Sequence, residues 1–171
     1  MKKLVVLCLF TLLLQGCTYA ISRSMTAEAD KTITFEMLQT DPDAFKGKII
    51  ILGGTISQIN TTKKGTLIEV IQKPLDYWGK PKRTKRTEGS FLVLHPGYLN
   101  TMIFTPGREI TVAAEVEGTR SKALGEMEFT YPLVLAKELK LWEVDRQTWY
   151  TPRWIDPLNS PSGPPTSPAA D

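Results

Sequence analysis

The chain has 171 residues, with 21 Lys or Arg against 18 Asp or Glu and a formal net charge of +3 at pH 7. Two of the basic residues, Lys2 and Lys3, lie in a segment that we predict to be removed. The remainder is then close to neutral, which excludes a polyanionic partner selected by net charge. The only two cysteines are Cys8 and Cys17, near the start of the chain. The rest has no thiol for a disulfide, a metal site or a redox couple, so an apolar core must supply its stability.

Residues 1–16 are predicted to be a lipoprotein signal peptide. The apolar run over residues 4–14 is about a dozen residues long, whereas a helix that spans a bilayer needs roughly 20. The run ends in the lipobox Leu14-Gln15-Gly16-Cys17, where the small Gly16 lets a signal peptidase approach the backbone. We therefore expect the mature protein to begin at a lipidated Cys17. An ordinary secretory signal is the alternative, but Ala20 alone supplies little of its Ala-x-Ala-like cleavage pattern.

The next segment, residues 17–31, is predicted to be a lipidated tether, because residues 22–31 are polar and show no period. A single folded domain is expected over residues 32–145, which can hold one apolar core but not two. The domain begins with the pattern of a short helix or of two helical turns. Its signals are a candidate N-cap, a break and a terminal glycine, namely Thr34, Asp41-Pro42 and Gly47.

The rest of the domain has the patterns of short β-strands. Residues 49–56 are apolar on both faces, and Gly53-Gly54 within them indicate a bend or bulge of the kind that closes a small barrel. Further strands are predicted at residues 66–71 and 91–94, and residues 110–117 alternate as a half-buried strand that a turn at 118–122 ends. Residues 127–131 and 133–142 are predicted to form one long bent strand or two short ones, with an edge or a kink at Pro132 between them. The predicted fold class is mainly β. It is a small five- or six-stranded antiparallel barrel, similar to the oligonucleotide/oligosaccharide-binding (OB) fold, with one short leading helix, in preference to a two-sheet sandwich.

Residues 146–171 form a Trp- and Pro-rich C-terminal extension, predicted to be an irregular tail that is disordered towards its end. Its aromatic residues Trp149, Tyr150 and Trp154 either pack back onto the barrel or form a docking patch for a partner. Trp142, just before the extension, is expected to plug one end of the barrel.

Short motifs along the chain indicate a family resemblance. They are the lipobox ending at Cys17, Phe45-Lys46-Gly47-Lys48, Gly53-Gly54, Glu69-Val70-Ile71-Gln72-Lys73-Pro74-Leu75-Asp76, Gly107-Arg108-Glu109-Ile110-Thr111-Val112, Gly125-Glu126, Tyr131-Pro132-Leu133-Val134 and Leu141-Trp142. In this combination the chain resembles the Slp family of starvation-inducible outer-membrane lipoproteins. The resemblance implies a lipoprotein linked to starvation or stationary-phase stress, without established enzymatic activity. Two features depart from the family pattern: residues 80–86 are more basic than expected, and the C-terminal extension lies outside the shared region.

The residue after the lipidated cysteine bears on the choice of membrane. In lipoproteins that resemble this one, Asp at that position retains the protein in the inner membrane, whereas Thr permits transfer outward. Thr18 occupies the position here. We therefore expect a lipid-anchored outer-membrane protein whose domain faces the periplasm.

Few residues of the chain suit catalysis. The only histidine, His95, precedes Pro96 at a predicted strand end, which indicates a turn residue rather than the base of a Ser-His-Asp or Cys-His arrangement. One histidine without a free cysteine does not supply the usual zinc ligands, and we expect no metal or cofactor. A hydrolase would have to use paired carboxylates such as Asp76, Glu126 and Glu128, although solvated edge charges are the simpler interpretation.

The most suggestive surface is a basic loop behind two aromatic residues. Its members are Tyr77, Trp78, Lys80, Lys82, Arg83, Lys85 and Arg86. Such a combination can hold nucleic acid, lipid phosphates, lipopolysaccharide or the carboxylates of peptidoglycan, and a solvated loop is the plain alternative. Because a periplasmic lipoprotein meets lipid and cell wall, no nucleic acid is expected.

These observations predict a non-catalytic, stress-related binding or structural module of the envelope. It would be held to the membrane through Cys17 and would contact an envelope protein, peptidoglycan or anionic lipid. The alternative function is a periplasmic hydrolase of envelope glycans or lipids that uses carboxylates.

Overall fold

The computed structural model describes residues 19–124 and 127–143. The signal peptide with Leu14, Gln15 and Gly16, and also Cys17, Thr18, Glu126, Trp149, Tyr150 and Trp154, lie outside these residues. The described strands are β1 (Ile49–Thr62), β2 (Gly65–Gln72), β3 (Ser90–His95), β4 (Glu109–Leu124) and β5 (Met127–Leu141). Before them come the helices α1 (Arg23–Glu28) and α2 (Phe35–Thr40) and the 3₁₀ turn η1 (Pro42–Phe45). No helix within the described ranges has both the length and the apolar character needed to cross a membrane.

The five strands form a closed barrel in the order β1-β2-β3-β5-β4. Four pairings are antiparallel, and the fifth, between β3 and β5, is parallel over Leu92, Val93 and Leu94. The prediction of a mainly β, five-stranded OB-like barrel is therefore confirmed, but the expectation of a wholly antiparallel sheet is wrong. Strand directions cannot alternate all the way round a ring with an odd number of strands, so at least one neighbouring pair must run parallel. Here β4 supplies the crossover that a parallel pair requires.

The inner face of the barrel carries the apolar core, because side chains alternate between the two faces of a strand. On β1, Ile50 and Leu52 point inward and are 2% and 9% exposed. The neighbouring strands add Ile68, Val70, Phe91, Val93, Ile110, Val112, Ala114, Val116 and Val134. From α2, Leu38 is fully buried, and the Phe35 ring meets that of Phe91 edge to face at a centroid distance of 5.8 Å. The leading helix thus belongs to the barrel core.

Side-chain caps define the leading helical region as predicted. The Thr34 hydroxyl accepts a hydrogen bond from the backbone N–H of Met37 at 3.2 Å, which satisfies a donor in the first turn of α2. A carboxylate oxygen of Asp41 does the same for η1, from the N–H of Ala44 at 3.2 Å. Gly47 ends the region with φ of 78°, a left-handed conformation that favours glycine.

The paired glycines of β1 lie where the hydrogen-bonding partner of this strand changes from β4 to β2. Gly54 is paired with β2 on one side and with β4 on the other. A Cβ on Gly54 would overlap the carbonyl oxygen of Ile71, so close packing of the backbones requires glycine here. The predicted bulge is not at these glycines. The irregularity falls between Ile56 and Gln58, just after the strand has changed partner.

The hairpin of β4 and β5 is longer than predicted. The turn expected at residues 118–122 is wrong, because β4 continues to Leu124 and only shifts register between Val116 and Gly118. Gly118 has φ of 111°, and a Cβ there would overlap the side chains of Lys46 and Asp43, so this glycine serves packing against η1 rather than a turn. Pro132 precedes the residues of β5 that pair with β3, which confirms the edge position expected for a residue without an N–H.

A second layer of chain covers the outer face of β1 and β4. Thr111 and Ala113 point outward on β4, yet both are fully buried, which differs from the half-buried strand predicted there. One covering segment is residues 19–28, in which Ala20 and Ile21 are 6% and 5% exposed and pack against Ala113. The segment predicted to be a tether is therefore partly folded onto the barrel. Two adjacent apolar residues are too few to produce a periodic pattern, which is why the sequence did not reveal this layer.

Candidate functional site

The second covering segment is the β2–β3 loop, residues 73–89, which holds the aromatic and basic residues selected from the sequence. Asp76 organises its first turn: one carboxylate oxygen accepts hydrogen bonds from the backbone N–H of Trp78 at 2.9 Å and of Lys80 at 2.8 Å. The N–H of Asp76 returns to the carbonyl of Lys80 at 2.8 Å. Gly79 closes the turn with φ of 80°. Asp76 thus shapes a tight turn with Tyr77 and Trp78 at its tip.

Apolar contacts and a bridge fasten this turn to the barrel. Leu75 and Pro81 form an isolated antiparallel bridge, and both side chains lie over Gly53 of β1. A Cβ on Gly53 would come within 2.5 Å of Leu75 Cδ2, so the second glycine of the pair makes room for the loop. The N–H of Lys82 also donates to the carbonyl of Pro74 at 2.8 Å, which closes the base of the turn.

A chain of hydrogen bonds connects the loop to the ends of the last two strands. The Thr111 hydroxyl donates to the carbonyl of Gly79 at 2.6 Å and accepts from the indole N–H of Trp142 at 2.9 Å. Arg108 holds the Trp142 carbonyl at 2.6 Å. Trp142 packs with the outer-layer residues around Ala113. The expectation that it plugs a barrel end is therefore wrong, because its indole has a buried acceptor on the outer face of β4.

Three aromatic side chains, Tyr19, Tyr77 and Trp78, form an exposed group that we call the aromatic cluster. They are 41%, 78% and 51% exposed. The ring centroid of Trp78 lies 5.2 Å from that of Tyr77 and 5.8 Å from that of Tyr19. The N–H of Ala20 donates to the Trp78 carbonyl at 3.3 Å, which joins the two covering segments. The cluster is thus an apolar surface held in place by backbone contacts rather than a set of independent side chains.

The basic residues of the loop divide into two groups. Lys80 belongs to the covering layer, where its Nζ lies 5.6 Å from the Trp142 ring centroid, and Lys140 of β5 approaches the same ring at 5.9 Å. The following residues Lys82, Arg83, Lys85 and Arg86 are exposed. Arg86 lies 3.9 Å from the carboxylate of Glu88, a loose pair. Sequence reasoning found Tyr77, Trp78 and Lys80 but missed Tyr19, Thr111 and Lys140, which reach the site only through the fold.

The other candidate chemical groups do not converge. One Asp76 oxygen is occupied by two backbone N–H groups, whereas Glu128 is exposed on the β4–β5 hairpin. The His95 Nδ1 lies 3.1 Å from the backbone N of Gly97, so the histidine closes the turn after β3, as predicted from its position. Among residues 19–124 and 127–143, no group of three His, Cys, Asp or Glu side chains is arranged to hold a metal ion.

A family model described as "Outer membrane lipoprotein Slp family" matches residues 14–166. The chain belongs to this family. The match corrects the expectation that the C-terminal extension lies outside the shared region, since the Slp model includes most of it. Relatives are Outer membrane protein Slp of Escherichia coli, 20% identical over 111 residues, and an uncharacterized protein of Haemophilus influenzae, 29% identical over 96 residues. These alignments cover 65% and 56% of this Slp chain, and 58% and 52% of the two relatives, so the chain spans little more than half the length of each.

Solved structures similar to this Slp chain include single-stranded DNA-binding proteins. The protein from Streptomyces coelicolor has 12% identity and a TM-score of 0.34, with 57% of this chain and 95% of that chain covered. A mitochondrial protein from S. cerevisiae has 11% identity and a TM-score of 0.32, with 57% and 97% covered. The Plasmodium falciparum protein in complex with ssDNA has 12% identity and a TM-score of 0.32, with 56% and 94% covered. The similarity concerns the fold alone.

Proposed function

We propose that this Slp-family protein is a non-catalytic, membrane-tethered module of the cell envelope that binds an anionic envelope component through the β2–β3 loop. A lipid on Cys17 would hold it in the outer membrane, and Thr18 supports transfer to that membrane. The domain would then face the periplasm and serve under starvation or stationary-phase stress, as the family resemblance implies.

The observation that carries the proposal is the presentation of Tyr77, Trp78 and Lys80 on a fixed turn. Asp76 and Thr111 hold the backbone of this turn through hydrogen bonds of 2.6 to 2.9 Å. A turn that is ordered before binding loses less conformational entropy when it engages a ligand. Exposed aromatic rings beside cations combine apolar contact with attraction to phosphate or carboxylate groups. Lys82, Lys85 and Arg86 extend the positive charge along the loop.

The hydrolase alternative is not favoured by the described carboxylates. A pair of catalytic carboxylates would have to face one cleft at a separation of roughly 5 to 10 Å. Asp76 instead has a structural role in its turn, and Glu128 lies on an exposed strand. Asp76→Asn would remove the carboxylate but keep an oxygen that can accept both N–H groups, so a hydrolase that uses these carboxylates should lose activity in Asp76→Asn and in Glu128→Gln, whereas a binding module should keep its fold.

Photo-crosslinking in cells tests the proposal. A photoreactive residue is placed singly at Lys82 and at Tyr77, and a matched probe is placed at Lys63, which is exposed in the turn between β1 and β2. Fractionation should recover the protein in the outer membrane, whereas Thr18→Asp should retain it in the inner membrane. Discrete adducts at the loop but not at Lys63 are expected. Adducts at neither loop position, or equal labelling at Lys63, would contradict the proposal.

A further inference from the structure

We infer that the aromatic cluster lies in the headgroup region of the leaflet that carries the lipid anchor, so that the covering layer forms a membrane-contacting face and the domain rests on the bilayer. The occupant of this face is the phospholipid surface itself. This inference rests on the proposed function, because it names the anionic component that the loop contacts and assumes the lipid on Cys17.

Chain length provides the first step. A tether of fifteen residues would have let the domain stand up to about 50 Å from the bilayer. The structure instead packs Ala20 and Ile21 against Ala113, at 6% and 5% exposure. Only Thr18 separates Cys17 from Tyr19, so covalent geometry limits the distance between the Cα atoms of Cys17 and Tyr19 to about 7 Å. A surface this close to the lipidated residue contacts the membrane before the rest of the domain does.

The side chains at this position have the chemistry of a membrane interface. Tyr and Trp are enriched at headgroup level, because an apolar ring and a polar N–H or O–H suit that boundary. The aromatic cluster consists of these two residue types, with Tyr77 the most exposed of the three at 78%. The hydroxyl of Tyr19 donates to that of Tyr77 at 3.4 Å, so the ring from the anchored segment and the ring from the loop are presented together.

Positive charge beside the aromatic cluster is a further, independent observation. Lys80 and Lys140 flank the Trp142 ring, and Lys82 is exposed at the base of the same turn. Two nearby carboxylates accept backbone hydrogen bonds within the protein. Asp76 accepts two backbone N–H groups, and Glu138 accepts the N–H of Ser22 at 2.9 Å. Lysines beside interfacial aromatics are attracted to anionic lipid phosphates. A neutral glycan would gain no such attraction from these lysines.

The test uses the full-length lipoprotein reconstituted in vesicles of phosphatidylethanolamine and phosphatidylglycerol. With Cys8 removed and Cys17 lipidated, the mature chain has no free thiol, so Tyr77→Cys offers a single site for a nitrobenzoxadiazole label. The matched control is Tyr98→Cys. Tyr98 is 74% exposed but lies in the loop that contacts the Thr66 end of β2, about 20 Å along that strand from the β2–β3 loop.

A label at position 77 should shift to shorter emission wavelength on reconstitution, lose intensity to headgroup spin-labelled lipid and be protected from aqueous iodide. A label at position 98 should remain accessible to iodide. Equal iodide access at both positions would overturn the inference. If the photo-crosslinks at Tyr77 and Lys82 then capture a protein or glycan, the proposed function stands and only the lipid surface is wrong. If they capture nothing, both proposals fail.

Discussion

Removal of the Thr111 hydroxyl should release the β2–β3 loop from the barrel. Thr111→Val keeps the shape and the strand preference of the residue, but it deletes the atom that donates to the Gly79 carbonyl at 2.6 Å and accepts from the Trp142 indole at 2.9 Å. A buried polar group left without a partner costs about 1–3 kcal/mol. Gly79 and Trp142 are only partly buried, so water can replace part of each bond. We expect the free energy of unfolding to fall by about 2 kcal/mol, near 1 for each lost bond.

Urea denaturation of the detergent-solubilised lipoprotein measures this change, with Thr130→Val as the control. Thr130 is an exposed residue of β5, where substitution should stay within about 0.5 kcal/mol. Limited trypsin digestion adds a measurement local to the loop, because the chain after Lys82, Arg83 and Lys85 should be cleaved faster once the loop is released. If Thr111→Val unfolds at the same urea concentration as the wild-type protein and is digested no faster, the hydrogen bonds of Thr111 do not hold the loop.

Three further predictions concern the barrel and its surface. Leu38→Ala should lower the free energy of unfolding by about 2–5 kcal/mol, because the side chain is fully buried, whereas Met37→Ala, at 43% exposure, should cost less than about 1 kcal/mol in the same urea assay. Gly54→Ala should lower the urea midpoint strongly or prevent folding, because the new Cβ would overlap a β2 carbonyl oxygen. The hydrogen bond from Lys46 holds the pKa of Asp43 below its ordinary value. Lys46→Met should therefore raise this pKa, as followed by NMR titration of the carboxyl carbon.

Each of these three predictions can be contradicted by a specific result. Equal losses for Leu38→Ala and Met37→Ala would place α2 outside the core, and a normal urea midpoint for Gly54→Ala would mean that the two strands are not so closely packed. For Asp43, the lowered pKa in the folded protein stabilises it at pH values above the unfolded-state pKa. This contribution is lost as the pH falls through the folded-state pKa. An unchanged titration in Lys46→Met would remove Lys46 as the cause.

Local features of the chain were predictable because they depend on neighbouring residues. The N-cap Thr34, the break at Asp41-Pro42 and the terminal Gly47 each act within a few positions of the helix that they define. The alternation of β4 likewise identified its inner face. The turn predicted at Gly118 was wrong for the same reason. A glycine in a strand pattern indicates a turn when only its neighbours in sequence are considered, whereas this glycine leaves space for side chains at η1.

By itself, the sequence determined the leading helical region, the strand-rich domain and the aromatic and basic residues of the β2–β3 loop, and the lipoprotein signal stays a prediction from its pattern. Only the tertiary structure decided the parallel pairing of β3 with β5, the outer layer and the aromatic cluster. Closure of an odd number of strands imposes the parallel pair, and no single segment records it. The burial of Thr111 depends on Gly79 and Trp142, each more than 30 residues away along the chain. Contacts between such distant segments follow from the closed barrel, which is why Tyr19 joined the site only once the fold was known.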